Sequence, residues 1–71
     1  KRQSDFYRGR CNAYYDLGKF EEAVADCSEA INLNPKFGWA FYYRGLSRQK
    51  LQQNALAISD FRKTLEFEPN H

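Results

Sequence analysis

The fold is decided by the stretch Glu29-Ala30-Ile31-Asn32-Leu33-Asn34-Pro35, which returns 34 residues later as Lys63-Thr64-Leu65-Glu66-Phe67-Glu68-Pro69. Further pairs share this offset: Tyr7 and Phe41, Arg10 and Arg44, Leu17 and Leu51, Ala23 and Ala57, Val24 and Ile58, Asp26 and Asp60. Chance does not place so many matches in a single register. A period in this range indicates stacked supersecondary units whose shared surface usually binds a partner.

Size and charge restrict the class of protein. The chain has 71 residues, 11 basic and 9 acidic, with a formal net charge of +2. Two units are fewer than the roughly three that stacked repeats usually need, so we expect an excerpt from a longer array. The near balance of charge gives no general field for nucleic acid or anionic membranes. We find no stretch apolar enough to span a membrane and no targeting segment.

Apolar residues with a period of about 3.6 predict four helices, at about 5–17, 20–33, 37–51 and 54–67. Asp5 is the expected N-cap of the first helix, and Gly18 is expected to close that helix in the left-handed conformation. Asn34-Pro35 ends the second helix, whereas Gln52 replaces the glycine after the third. Strand signals are absent. The expected inward residues are Tyr7, Cys11, Tyr14, Leu17, Phe20, Ala23, Val24, Cys27, Ala30, Ile31, Phe41, Gly45, Leu51, Ala57, Ile58, Phe61 and Leu65.

The two cysteines, Cys11 and Cys27, lack the spacing of a zinc site or a redox CxxC pair. Both fall at inward positions of predicted helices, where a free thiol acts as a small apolar group. We therefore expect reduced core thiols, with a disulfide or a reactive thiol as the alternatives. Reduced thiols favour a reducing compartment, which makes a cytoplasmic location the expectation.

The run Ala13-Tyr14-Tyr15-Asp16-Leu17-Gly18-Lys19-Phe20-Glu21-Glu22-Ala23, continued to Asn34-Pro35, resembles a tetratricopeptide repeat. The second copy keeps the small, large and proline positions. The resemblance implies an all-α fold: one domain over 1–71, with repeats at 4–37 and 38–71. Its four antiparallel helices would stack as a short right-handed α-solenoid. Cys11, Asn54 and Thr64 depart from the family pattern, and the last helix should expose an apolar flank near Ala55, Ile58, Leu65 and Phe67.

In this family, the first helix of each hairpin lines a concave groove that binds peptides or segments of partner proteins. The resemblance therefore implies a protein or peptide partner, bound by Arg8, Asn12, Tyr15, Trp39, Tyr42, Tyr43, Leu46 and Gln49. Trp39, Tyr42, Tyr43 and Leu46 form a face largely separate from the inward residues of the third helix, as clustered interaction residues do. The alternative is that Trp39 and Tyr42 only pack against the loop around Phe37.

Three other functions remain open. Arg8 and Asn12 match the first pair of a clamp for chaperone C-terminal carboxylates, although Tyr43 stands where that clamp has asparagine. The fragment could instead be a structural spacer that docks on neighbouring repeats or forms a homodimer through its last helix. The third hypothesis is RNA binding through the aromatic residues with Arg44, Arg48 and Lys50. We expect no nucleic-acid or membrane partner from the overall charge.

Two recurring pairs point to architecture rather than to a site. Arg10 and Asp26 return as Arg44 and Asp60, and Arg44 could reach Asp26 across the repeat boundary. An enzyme would need a nucleophile with its base, a metal cluster or a phosphate loop. The single histidine is the last residue, His71, and the four glycines are scattered. The sequence therefore predicts no catalytic activity, no cofactor and no metal site.

Overall fold

The computed structural model describes residues 2–68, and within that range it contains helices and no strands. The four helices are α1 (Arg2–Asp16), α2 (Phe20–Leu33), α3 (Gly38–Lys50) and α4 (Asn54–Phe67). Helix α1 packs on α2, α3 packs on α4, and α3 also contacts both α2 and α1. This is the predicted all-α pair of stacked hairpins. The expectations for Pro69 and His71 lie outside the described residues.

The ends of α2 and α4 are as predicted, but the start of α1 is not. Helix α1 begins at Arg2, so Asp5 lies in its first turn and is not its N-cap. In that position the carboxylate still faces the positive end of the helix dipole. Helix α2 ends at Leu33, where the backbone N–H of Asn34 donates to the carbonyl of Ala30. Pro35, which follows Asn34, prevents the helix from continuing.

The two hairpin turns have the same backbone conformation despite their different residues. Gly18 has φ of 78°, and Gln52, the corresponding residue of the second hairpin, has φ of 63°. Each turn closes its helix with two crossed hydrogen bonds, from Lys19 N–H to Tyr14 O and from Gly18 N–H to Tyr15 O in the first hairpin. Because only glycine adopts this conformation without steric cost, Gln52 holds a strained position.

The core consists of small residues at the crossing of the helices. Cys11, Ala23, Cys27, Ala30 and Ala40 are fully buried. In the second hairpin, Gly45 fills the place of Cys11, and a Cβ on it would lie 2.7 Å from the Phe61 ring. The expected pairing of small and large residues is therefore confirmed at this crossing.

Three expected core residues are instead on the surface. Leu17 is 69% exposed because it lies in the turn after α1 has ended. Ile58 and Leu65 are 54% and 67% exposed, because α4 packs only on α3 in the described part of the chain. The exposure of these two side chains confirms the expected apolar flank of the last helix.

The cysteines are joined by a disulfide between Cys11 of α1 and Cys27 of α2. The expectation of reduced thiols was therefore wrong, and the expected cytoplasmic location loses its basis. The repeat register contained the signal that could have found this bond. Cys11 and Cys27 correspond to Gly45 and Phe61, which contact each other across the second hairpin. A covalent bond in the first hairpin thus occupies the place of a packing contact in the second.

Candidate functional site

An aromatic row crosses from the first hairpin to the second. The rings of Trp39 and Tyr43 on α3 are stacked, with centroids 4.1 Å apart and planes inclined by 7°. The edge of Tyr15, on α1, meets Tyr43 at 5.7 Å. At the other end of the row, the Arg8 guanidinium lies 5.5 Å from the centre of the Trp39 ring, within the range of cation–π attraction. We call these four residues the α1/α3 face.

Helical spacing explains the row. Trp39 and Tyr43 are four residues apart on α3, so their rings lie one above the other on the same side of the helix. Helices α1 and α3 contact each other directly, which brings α1 side chains within reach of these rings. The pairing between repeats was not visible in the sequence, because periodicity within one helix does not give distances to the next.

The α1/α3 face is also part of the packing. Tyr15, Trp39 and Tyr43 are half-buried and pack against the core cluster, and Trp39 also lies 6.3 Å from the Phe37 ring. The predicted separation between this face and the inward residues is therefore only partial. The alternative interpretation, that Trp39 packs against the loop around Phe37, therefore accounts for one of the contacts of this ring. The same rings thus serve both stability and the exposed face.

Tyr42 lies between the aromatic row and α4. Its ring lies 6.0 Å from Phe61 of α4 and meets Tyr43 edge-on at 5.5 Å. With Phe61, Thr64 and Leu65 it lines a cavity of about 240 Å³ between α3 and α4. We define Tyr42, Phe61, Thr64 and Leu65 as the α3/α4 face. Tyr42 therefore contacts the aromatic row through Tyr43 and also faces α4.

The remaining predicted site residues are spread along α1 and α3. Asn12 is half-buried and lies one helical turn from Arg8, Leu46 is half-buried, and Gln49 is exposed. The structure thus brings together Arg8, Tyr15, Trp39 and Tyr43, with Asn12 beside them on α1. Their chemistry is that of a flat apolar surface with one cation and one amide nearby.

The recurring arginines and aspartates each close their own hairpin. Arg10 donates Nε and Nη2 to the two carboxylate oxygens of Asp26, at 2.7 and 3.0 Å. Arg44 binds Asp60 in the same two-pronged way, at 3.1 and 2.9 Å. The expected pair between Arg44 and Asp26 is therefore wrong. The link across the repeat boundary is a hydrogen bond of 3.0 Å from Arg44 Nη1 to the hydroxyl of Ser28.

Charge pairing bears on the RNA hypothesis. Asp60, whose side chain is 2% exposed, also accepts a hydrogen bond of 2.9 Å from Arg48. One carboxylate thus holds two of the three cations named in the RNA hypothesis, and the third, Lys50, is exposed.

In the first hairpin, the hydrogen bonds to Asp26 raise the pKa of the Arg10 guanidinium, so that group keeps its charge.

Residues 2–68 contain no group of three or more metal-ligating side chains placed around a common point. In the same range, no helix combines the length and the apolar character that crossing a membrane requires.

Comparisons with known proteins agree with this architecture. Residues 12–52 match the family described as TPR repeat, and residues 39–71 match that described as tetratricopeptide repeat. The human RNA polymerase II-associated protein 3 is 40% identical over 62 residues, which are 87% of this chain and 9% of that protein. The human mitochondrial import receptor subunit TOM70 is 35% identical over 57 residues, which are 80% of this chain and 9% of that protein.

A third relative is the small glutamine-rich tetratricopeptide repeat-containing protein of Dictyostelium discoideum. It is 33% identical over 66 residues, 93% of this chain and 20% of that protein. The chain therefore spans no more than a fifth of the length of these three relatives. The fold has two stacked hairpins in a 34-residue register, and the family matches together cover residues 12–71, so the chain belongs to the tetratricopeptide repeat family.

Proposed function

We propose that this chain is a protein–protein interaction module that binds an extended peptide or partner segment on the α1/α3 face. Repeats of this family are generally protein-interaction scaffolds, and such a scaffold needs no catalytic group. The observation that carries the proposal is the row formed by Arg8, Trp39, Tyr43 and Tyr15, which runs across both hairpins. Stacked, half-buried rings with an adjacent arginine are typical of residues that dominate binding energy.

The chemistry of the face suggests what a ligand must offer. The stacked rings of Trp39 and Tyr43 favour an apolar or proline side chain, which loses little entropy when it packs on a flat surface. Arg8 can bind a carboxylate, and the Asn12 amide can hydrogen-bond to a peptide backbone. We therefore expect ligands with an apolar residue followed or preceded by an acidic group.

A C-terminal chaperone tail is a narrower version of this ligand. Arg8 and Asn12 fit the first half of a carboxylate clamp, but Tyr43 is engaged in the aromatic row and supplies no amide. If the clamp operates here, amidation of the C-terminal carboxylate of a chaperone-tail peptide should abolish binding. Equal binding of the acid and the amide would exclude this version and leave the general proposal intact.

The direct test is a selection of random displayed peptides on the purified chain, followed by titration of the selected peptides with Trp39 fluorescence as the readout. Trp39→Ala is a poor test, because this ring also packs against the core. Arg8→Gln is the better variant, since Arg8 is exposed. Its matched control is Arg62→Gln, which removes an exposed arginine from α4.

We expect Arg8→Gln to weaken the selected peptides by about tenfold to a hundredfold, the worth of one charge-assisted hydrogen bond. Arg62→Gln should leave their affinity unchanged. If neither substitution alters affinity, or if only Arg62→Gln does, the α1/α3 face is not the binding surface.

A structural-spacer role is the second candidate function, favoured by the exposure of Ile58 and Leu65 on α4. A solenoid unit buries such residues under its neighbour. Sedimentation across a wide concentration range tests whether that neighbour is another copy of this chain.

A further inference from the structure

Helix α1 has little buried surface to hold it in place. Within residues 3–16, the buried side chains are Ser4 and Cys11, and only Cys11 is apolar. Its three tyrosines are half-buried, whereas α2 and α3 bury four and five residues. Gly9 in the interior of α1 and Asp16 in its last turn both disfavour the helix itself. The docking of α1 therefore depends strongly on Cys11.

Two links between α1 and α2 lie side by side. Arg10 binds Asp26, and the next residue of each helix forms the disulfide between Cys11 and Cys27. The Arg10 side chain is half exposed, and an exposed ion pair contributes little to stability. Both cysteines are fully buried, and a cross-link that closes a loop of about 15 residues shifts a folding equilibrium by about a hundredfold. The disulfide is therefore the stronger of the two links.

The disulfide lies under the α1/α3 face. Arg8 and Tyr15 come three residues before and four residues after Cys11, so the three lie along the same side of α1. Cys11 and Cys27 belong to the core cluster against which the rings of the face pack. The position of the α1 half of the face thus depends on the disulfide.

The α3 half of the face does not share this dependence. In the second hairpin, Gly45 and Phe61 pack together at the place that the disulfide occupies in the first. Helix α3 also packs on both α2 and α4. Breaking the disulfide would therefore free the α1 half of the face while the α3 half stays in place.

We propose that the disulfide between Cys11 and Cys27 is a redox switch for the α1/α3 face. The oxidised chain keeps α1 docked and the face assembled, and reduction releases α1 and weakens ligand binding. This inference rests on the proposed function, because it concerns the regulation of that binding surface.

Reduction needs a dithiol and an opening of α1. A thiolate of the dithiol attacks one cysteine sulfur, the S–S bond breaks, and the other cysteine leaves as a thiolate and takes up a proton. The second thiol of the reductant then displaces the first cysteine, so the dithiol becomes a disulfide and its two protons end on the cysteines. Because both sulfurs are fully buried, this exchange takes place when α1 has moved away. By linkage, a ligand that prefers the oxidised chain makes the disulfide harder to reduce.

The docking of α1 can be measured without a ligand. Tyr15 and Tyr43 join α1 to α3 with ring centroids 5.7 Å apart, whereas Trp39 and Tyr43 stack at 4.1 Å within α3. Nuclear Overhauser cross-peaks between the ring protons report both contacts, in the oxidised chain and in dithiothreitol. We expect reduction to lower the Tyr15–Tyr43 cross-peaks to less than about half, as α1 undocks in most chains, and to preserve the Trp39–Tyr43 cross-peaks.

Binding is measured on the same two samples. Fluorescein-labelled, cysteine-free copies of the peptides selected on the oxidised chain are titrated with each sample and followed by anisotropy. We expect about tenfold weaker binding after reduction, which corresponds to α1 docked in about a tenth of the chains. Re-oxidation should restore the affinity. The matched control is Cys11→Gly with Cys27→Phe, in which dithiothreitol should change neither the cross-peaks nor the affinity.

Three outcomes would overturn the switch. These are Tyr15–Tyr43 cross-peaks that survive reduction, loss of the Trp39–Tyr43 cross-peaks as well, which would mean that the whole fold opens, and an affinity that reduction does not change. Failure of the proposed function is seen separately, in the oxidised chain alone, as peptide binding that Arg8→Gln does not weaken. That result would remove the binding surface and the switch together, whereas redox-insensitive binding that Arg8→Gln still weakens would refute the switch alone.

Discussion

The disulfide between Cys11 and Cys27 allows the sharpest prediction about stability. The two residues are 16 positions apart, and a cross-link that closes a loop of about 15 residues lowers the entropy of the unfolded chain by about 3 kcal/mol. A folded domain of 71 residues has a total stability of about 4–10 kcal/mol. Reduction should therefore remove between a third and most of the stability of this chain.

The measurement is the free energy of unfolding in urea, followed by circular dichroism and by Trp39 fluorescence. One sample is kept oxidised, and the other is unfolded with dithiothreitol, refolded by dilution and kept reduced throughout. We expect the reduced chain to be less stable by about 3 kcal/mol. The sequence of the folded protein is identical in both samples, so the difference reports the cross-link itself.

The second hairpin supplies the control. Cys11→Gly with Cys27→Phe installs the pair that the second hairpin uses at the same places, and its stability should not depend on dithiothreitol. Equal stability of the oxidised and reduced wild-type chains would refute the reasoning. So would an equal effect of dithiothreitol on the Gly/Phe variant, since that variant has no disulfide to lose.

Three further substitutions test other parts of the fold by urea unfolding. Gln52→Gly should stabilise the chain by about 0.5–1 kcal/mol, because glycine adopts the left-handed conformation at φ of 63° without steric strain. A loss of stability would contradict this account of the turn. Gly45→Ala should destabilise the chain by about 1–2 kcal/mol, because its Cβ would lie 2.7 Å from the Phe61 ring. Gly9→Ala, with open space around it, should stabilise the chain by about 0.5–1 kcal/mol. Effects of the same sign at both sites would contradict this account of the helix crossing. Asp60→Asn should lower the free energy of unfolding by about 3 kcal/mol, because it leaves two mostly buried guanidinium groups without a carboxylate. Asp26→Asn should lower it by only about 1 kcal/mol, because its arginine is half exposed. Equal losses would be inconsistent with this difference in burial.

The helices could be predicted because their boundaries have local causes. Proline after Asn34 stops α2, and Gly18 closes α1 with a conformation that only glycine adopts easily. The start of α1 was harder, since Asp5 is favourable both as a cap and in a first turn. A local signal with two acceptable positions does not fix a boundary.

Contacts between helices could be predicted only where the repeat register was used. Applied to the cysteines, the register pairs Cys11 with Cys27, as Gly45 pairs with Phe61. Without it, each cysteine was simply a small inward residue. The aromatic row has no such internal template, because Tyr15 in the first repeat corresponds to Gln49 in the second. Its members could be named from the sequence, but their pairing could not.

The α1/α3 face and the α3/α4 face adjoin on α3, and this determines which substitutions can separate them. Tyr43 belongs to the aromatic row, Tyr42 lines the cavity beside α4, and their rings meet edge-on at 5.5 Å. A change in either ring therefore disturbs both surfaces, whatever its effect on binding. Arg8 lies on α1 and Arg62 on α4, and both are exposed. Arg8 contacts α3 only at its exposed guanidinium, over the Trp39 ring, so a loss of binding in one variant and not in the other assigns a ligand to a single face.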